Sequence, residues 1–161
     1  MSWTTYVGVS PLVVRDGALL MVLQRRPYGV HWEAPSGYYE ANESLEEAAA
    51  REALEEAGVE VDVGPLVCTF VWEREADRRR NVLAYFDGTA RDPSAEPRPQ
   101  VEEDIEAAGY VDPYALPDGG VLHPICAAIF ERWWTKRETG FHIVADAVPQ
   151  PDGTQRYRFR S

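Results

Sequence analysis

A helix that carries glutamates on the side its own pattern reserves for the core is the feature that most limits what this chain can become. Ser44 with Glu47 three residues on is a capping box, the alanine-rich run from Leu45 to Ala57 sustains a helix, and Gly58 stands where a left-handed C-terminal cap belongs. At roughly 100° per residue, Glu52, Glu55 and Glu56 fall in an arc of roughly 100°, with Leu45, Ala48 and Ala49 inside or beside it. Small apolar residues mark a buried stripe. Three carboxylates among them face mutual repulsion and desolvation unless a cation compensates. A Glu-rich helix is more commonly a solvated acidic face, and the company of the alanines is what argues against that reading.

Glu52 and Glu56 are one turn apart, the spacing that lets two side chains reach one ion. Carboxylate oxygens without nearby histidine or cysteine suit Mg²⁺, or Mn²⁺ as a substitute, and argue against zinc. Magnesium keeps waters and takes phosphate oxygens as its remaining ligands, which points to phosphoryl chemistry. The charge balance narrows the substrate. Sixteen basic against twenty-seven acidic residues leave a formal charge of −11. That charge repels a nucleic-acid polymer, while a bound cation reverses the field locally and admits a small phosphorylated molecule.

The 161 residues, 45% of them hydrophobic, suit a single domain spanning the chain. Cys68 and Cys126 lie in apolar segments outside any CxxC or Cys/His spacing and read as buried thiols. Residues 1–6 lack the basic region and apolar stretch of a signal peptide, and no run reaches membrane-spanning length. The expectation is a soluble, cytoplasmic protein with no membrane partner.

Along the chain, Tyr6 to Val14 and Ala18 to Leu23 are apolar runs joined by Arg15-Asp16-Gly17, a hairpin signal. Gln24 to Pro27 is a polar and basic stretch, and His31 to Gly37, dense in glycine and proline, reads as a loop with defined turns. Val59 to Trp72 and Asn81 to Phe86 read as strands around a charged tip, Glu73 to Arg80, and Asp92 to Gln100 as a proline-rich loop. A short strand is expected at Gly109 to Val111 and a helix over Pro124 to Lys136, where Ile125, Ile129 and Trp133 keep helical spacing. Phe141 to Val148 and Gln155 to Arg160 form a second hairpin around Pro151-Asp152-Gly153. In its last strand Arg156, Arg158 and Arg160 alternate with Tyr157 and Phe159. That aromatic face needs a partner, and a homodimer contact is slightly favoured over packing within the chain.

Gly37, five residues, Glu43, seven residues, then Arg51-Glu52-Ala53-Leu54-Glu55-Glu56-Ala57-Gly58-Val59 resembles the complete Nudix box, Gx5Ex7REUxEExGU with U aliphatic. The resemblance implies an α/β fold, a Nudix-type α/β/α sandwich with a mixed β-sheet, to which this chain adds a C-terminal β-hairpin. It implies Mg²⁺-dependent hydrolysis of a diphosphate bond in a nucleoside di- or triphosphate or a related derivative. It further implies that Glu52, Glu55 and Glu56 hold the metal with the backbone carbonyl of Ser36, and that Glu43 and Arg51 pair to brace loop against helix. Family members often place another acid beyond the box; of Glu102, Glu103 and Asp104, Glu103 is chosen. The chain departs from the common pattern at Ser36 and Asn42, where glycine is frequent, and at Ala53, small for its aliphatic position. No charged position is lost.

For the substrate, Arg25 and Arg26 leave a strand just before the box and are candidate phosphate contacts, with Trp32 a candidate platform for a base. Exposed strand-end arginines and a core tryptophan are the plain alternatives, and Arg78-Arg79-Arg80 reads as a solvated tip. Two other activities fit the same motif in principle: a nucleotide-binding regulatory module without turnover, and an enzyme like isopentenyl-diphosphate isomerase. The intact carboxylates weigh against the first, and the lack of a convincing catalytic cysteine against the second.

Overall fold

The computed structural model describes residues 2–161. Strands β1 (Thr4–Arg15) and β2 (Ala18–Arg26) turn back on each other through Asp16 and Gly17, both at positive φ, as the Asp-Gly signal requires. β2 runs on to Arg26 because both its edges are used. One edge pairs with β3 (Gly29–Glu33) and the other with β7 (Ile105–Val111), each antiparallel. The segment from Gly29 to Glu33 is therefore a strand, although a loop was expected from His31 onward. Flanked by prolines and only five residues long, it is too short to show a period of its own.

β1 pairs in parallel with β6 (Arg79–Ala90), β6 antiparallel with β5 (Val61–Arg74), β5 in parallel with β8 (Phe141–Pro149), and β8 antiparallel with β9 (Gln155–Phe159). The two-residue β4 (Gly37–Tyr38) adds to the free edge of β1 at Gly8 and Val9. The sheet is mixed, as expected.

Adjacent residues of each strand serve opposite faces. Leu12, Leu19 and Met21 join a cluster with Phe70, Tyr85 and helix α2 (Pro124–Phe130), whereas Val13, Leu20 and Val22 join one with Ala53 and Ala57 of helix α1 (Leu45–Ala57). One helix on each face makes the α/β/α sandwich. α1 has the capping box complete: the Ser44 hydroxyl accepts from the Glu47 N–H at 3.1 Å, and the Glu47 carboxylate accepts from the Ser44 N–H at 2.7 Å. Gly58 closes the helix at φ 67°. α2 continues past Phe130 as a single wide turn to Thr135, and Ile125, Ile129 and Trp133 are all buried, as their spacing foretells.

The aromatic face of β9 finds its partner within the chain. Tyr157 packs edge-on against Phe70 and Trp72, and Phe159 against Phe70. Arg158 and Arg160 on the other face pair with Asp146, and Arg160 also with Glu73. This removes the reason for expecting a dimer at that strand. Among the described residues, no helix is long and apolar enough to cross a membrane.

Candidate active site

The acids of α1 divide between two environments. Glu52 and Glu56 are buried, while Glu55 points outward with its side chain 42% exposed. Arg51 binds this group together. Its guanidinium donates to both oxygens of Glu43 at 2.8 and 3.0 Å, to Glu52 at 2.7 Å, to Glu55 at 3.1 Å and to the Tyr38 carbonyl at 2.9 Å. The expected brace between Glu43 and Arg51 is thus formed. Hydrogen bonds from Arg51 hold the Glu43 carboxyl below its ordinary range.

Glu52 and Glu56 are pushed the other way. Burial raises Glu52, with Arg51 opposing and the charges of Glu55 and Glu103 adding to the rise. Glu56 is raised well above the carboxylate range by burial, opposed by the 3.0 Å bond from the Ser36 N–H and compounded by Glu33 and Glu52. Glu33, at the end of β3, is itself buried and held by Arg26 and Ser36. The result is three buried carboxylates for which Arg26 and one edge of Arg51 are the compensating charges.

This donor set suits a hard divalent cation. All its side-chain donors are oxygen, and burial penalises the charged form of Glu56, a cost that a cation would offset. Gly37 makes the approach possible, since a methyl group there would overlap the Glu52 carboxylate. Among the described residues no three acidic, histidine or cysteine groups already surround a common point. The positive charge between Glu52 and Glu55 is Arg51. Of the departures from the box, Asn42 takes the left-handed conformation that glycine would have supplied, at φ 69°, and Ala53 is fully buried against the sheet.

On the sheet face opposite α1 lies a cleft of about 330 Å³ that reaches Ser36 and Gly37. Its walls come from alternate residues of the strands, including Ser10 of β1, Trp72 of β5 and Asn81 of β6, with Tyr28, Tyr38 and Tyr157 around them. Arg26, Arg74 and Arg79 supply positive charge. Arg26 is occupied by Glu33, and Arg74 by Asp77 at 2.7 Å and Gln155 at 2.9 Å. Arg79 has no carboxylate within ion-pair distance among the described residues; its guanidinium lies over the rings of Tyr6 at 4.4 Å and Trp72 at 5.6 Å.

Of the residues proposed from sequence, Glu43, Glu52 and Glu55 gather on Arg51, Glu56 accepts from the Ser36 N–H, and Ser36 and Arg26 line the cleft. Glu103 sits in the short turn before β7, close enough for its charge to raise Glu52. Arg25 turns away to pair with Glu106, and Trp32 is buried in the core against Gly120, so neither lines the cleft. The alternation of side chains along β2 sends Arg25 and Arg26 to opposite faces. Arg79 is not a solvated tip residue, because β6 begins with it.

Arg74, Arg79, Asn81, Gln155 and Tyr157 were not singled out as a site. A signal existed for Asn81, which keeps the inward parity of Leu83 and Tyr85 in an otherwise apolar strand. Cys126 also lines the cleft, but burial pushes its thiol up to about 12, as it does that of Cys68. Both are neutral thiols at neutral pH.

The model of the NUDIX domain family matches residues 4–126. This chain belongs to the Nudix family. A MutT-like protein of Streptomyces ambofaciens is 40% identical to this Nudix domain over 60 residues, covering 37% of this chain and 38% of the relative. An oxidized purine nucleoside triphosphate hydrolase of Danio rerio is 36% identical over 69 residues, 40% of this chain and 44% of that protein. The matched segments thus span less than half of either relative. The crystal structure of a MutT NUDIX hydrolase from Burkholderia pseudomallei superimposes with a TM-score of 0.66 at 28% identity, covering 80% of this Nudix chain and 97% of that one. The family match ends within α2, so the hairpin β8–β9, which contributes Gln155 and Tyr157 to the cleft, lies beyond it.

Proposed function

We propose that this Nudix domain is a pyrophosphohydrolase that cuts a diphosphate bond in a nucleoside di- or triphosphate or a related nucleoside diphosphate derivative, with Mg²⁺ as cofactor. The observation that carries the reading is the pair of buried, incompletely compensated carboxylates, Glu52 and Glu56, held against Gly37 and Ser36 where a cleft lined by arginines and aromatic rings reaches those two residues. Glu52, Glu55 and Glu56 with the Ser36 carbonyl would hold the metal. Bound there, Mg²⁺ supplies neutralisation of charge developing on phosphate oxygens and a more acidic water.

The chain's own groups do the rest. Arg51 orients Glu52 and ties α1 to β4 through the Tyr38 carbonyl, while Glu43 keeps Arg51 in place. Arg26, presented into the cleft beside Glu33, binds phosphate oxygens of the substrate. Glu103, from outside the helix, accepts a proton from the attacking water at its carboxylate. The name carried by the Danio rerio relative makes purine nucleoside triphosphates the first substrates to try.

The test is a panel of nucleoside triphosphates, nucleotide sugars, ADP-ribose, dinucleotides and coenzyme A with Mg²⁺ or Mn²⁺, scored for phosphate and pyrophosphate. Glu56→Gln should lower turnover roughly a hundredfold or more while the fold persists, because a buried charge aimed at the reacting centre is removed. Full turnover by that variant would unseat Glu56 as a ligand. Tight nucleotide binding with no release across the panel would favour a regulatory module instead.

A further inference from the structure

Two side chains in the cleft are arranged for a ligand that the metal-binding end does not explain. Asn81 is 2% exposed, and its amide Nδ2 has no hydrogen-bond partner among the described residues. In this structure the amide turns its oxygen toward Tyr38. Arg79 Nη2 donates to the Tyr38 hydroxyl at 2.5 Å, and that hydroxyl donates its single proton to Asn81 Oδ1 at 3.3 Å. The carbonyl end of the amide is therefore engaged with Tyr38, and the two N–H groups are left for the cleft that Asn81 lines. Arg79 Nε is likewise buried without a partner, on the cleft cation that has no carboxylate. Buried donors are nearly always paired, so two unpaired ones on β6, carried by residues that line one cavity, mark a place where an acceptor is missing. Trp72 and Tyr38 stand beside them and Tyr157 lines the same cleft, walls suited to a planar ring.

We propose that Asn81, oriented by Tyr38 and Arg79, is a specificity-determining residue that donates to a carbonyl oxygen on the nucleobase of the substrate. This rests on the cleft being the nucleotide site. A donor pair rewards a base bearing a carbonyl, such as a 6-oxopurine or uracil, over the partner bearing an amino group at the same position, which presents hydrogens to hydrogens. A phosphate oxygen offers the same acceptor chemistry, and the experiment separates the two sources.

Equilibrium binding is measured by titration calorimetry for inosine and adenosine monophosphates, for uridine and cytidine monophosphates, and for adenosine mono-, di- and triphosphates. These need no turnover, so the subsite and the hydrolytic reading fail separately. The expected result is a preference of about tenfold or more for the carbonyl-bearing member of each pair, as for a site built to hydrogen-bond that group. Asn81→Asp, which replaces the N–H donors by an acceptor, should erase or reverse the preference. Tyr38→Phe, which frees the amide to turn, should reduce it several-fold and serves if the Asn81 variant does not fold. The proposal is overturned if the wild-type protein shows no preference, or if the preference survives in a folded Asn81→Asp or Tyr38→Phe protein. It is also overturned if Asn81→Asp weakens both members equally by a factor that grows with the number of phosphates, which would place phosphate at this position.

Discussion

Arg51 shows how one residue organises a site by the fork of its guanidinium. Five donors meet Glu43, Glu52, Glu55 and a backbone carbonyl of β4, so helix, loop and strand share one hub. Gly37 matters for what it lacks. With no side chain, it lets the Glu52 carboxylate lie against the backbone. Gly37→Ala is expected to displace that carboxylate and to lower kcat/KM by about a hundredfold, since displacements on the order of 1 Å have that effect at a reacting centre. Circular dichroism should show the fold retained. Unchanged kinetics would mean that the Glu52 position is not needed.

The helix α1 is held at both ends by its own sequence, and this explains how it tolerates buried acids in its last two turns. The reciprocal bonds of Ser44 and Glu47 satisfy N-terminal donors, and the Gly58 N–H bonds back to the Leu54 carbonyl at 3.0 Å. Ser44→Ala removes one side of the capping box and is expected to cost about 1 kcal/mol, read as a shift in the urea midpoint with an unchanged slope. The hairpin β8–β9 is latched differently, by Arg74 donating to Gln155 and Gln155 donating to the Tyr157 hydroxyl at 2.8 Å. Those contacts seat its inner face against β5 and make it a wall of the cleft.

For the whole molecule, the buried titratable groups set how stability depends on pH. His123 caps α2, its Nδ1 accepting from the Ile125 N–H at 3.2 Å, and burial, then Arg26 and His31, push it down from 6.5 to about 3. A histidine with a depressed pKa is neutral when folded and binds a proton when unfolded, so stability present above 6.5 is lost as the pH falls toward 3. From pH 7 to pH 5 this group should account for about 2 kcal/mol. His123→Asn keeps a capping acceptor without the titration. Its loss of stability over that interval, followed by urea denaturation, should be smaller than the wild type's by about that amount, and parallel curves would refute the assignment. Glu33 and Glu56 act in the opposite sense, because their raised values make the metal-free protein lose stability as pH rises from the carboxylate range to those values.

The sequence by itself determined the strands around Asp16-Gly17 and Pro151-Asp152-Gly153, the capped helix, its acids and the brace between Glu43 and Arg51. All but the brace rest on local spacing, that is, turn residues with positive φ, reciprocal caps and side chains a turn apart; the brace joins residues eight apart and was implied by the resemblance to the Nudix box. Even Asn42 was legible as a glycine position. Tertiary structure alone decided the cleft, because it is assembled from β1, β3, β5, β6 and β9, residues far apart in sequence that meet only when parallel and antiparallel pairings are combined. Arg25 and Arg26 are neighbours in sequence, yet sheet pairing sends one to Glu106 and the other into the cleft with Glu33. Arg79 at the charged tip and Asn81 at the start of an apolar strand became a pair of unmet donors only once β6 lay beside β1 and Tyr38 came across to orient them. Local chemistry thus wrote the carboxylate end of the candidate site, and long-range strand pairing wrote the cleft beside it.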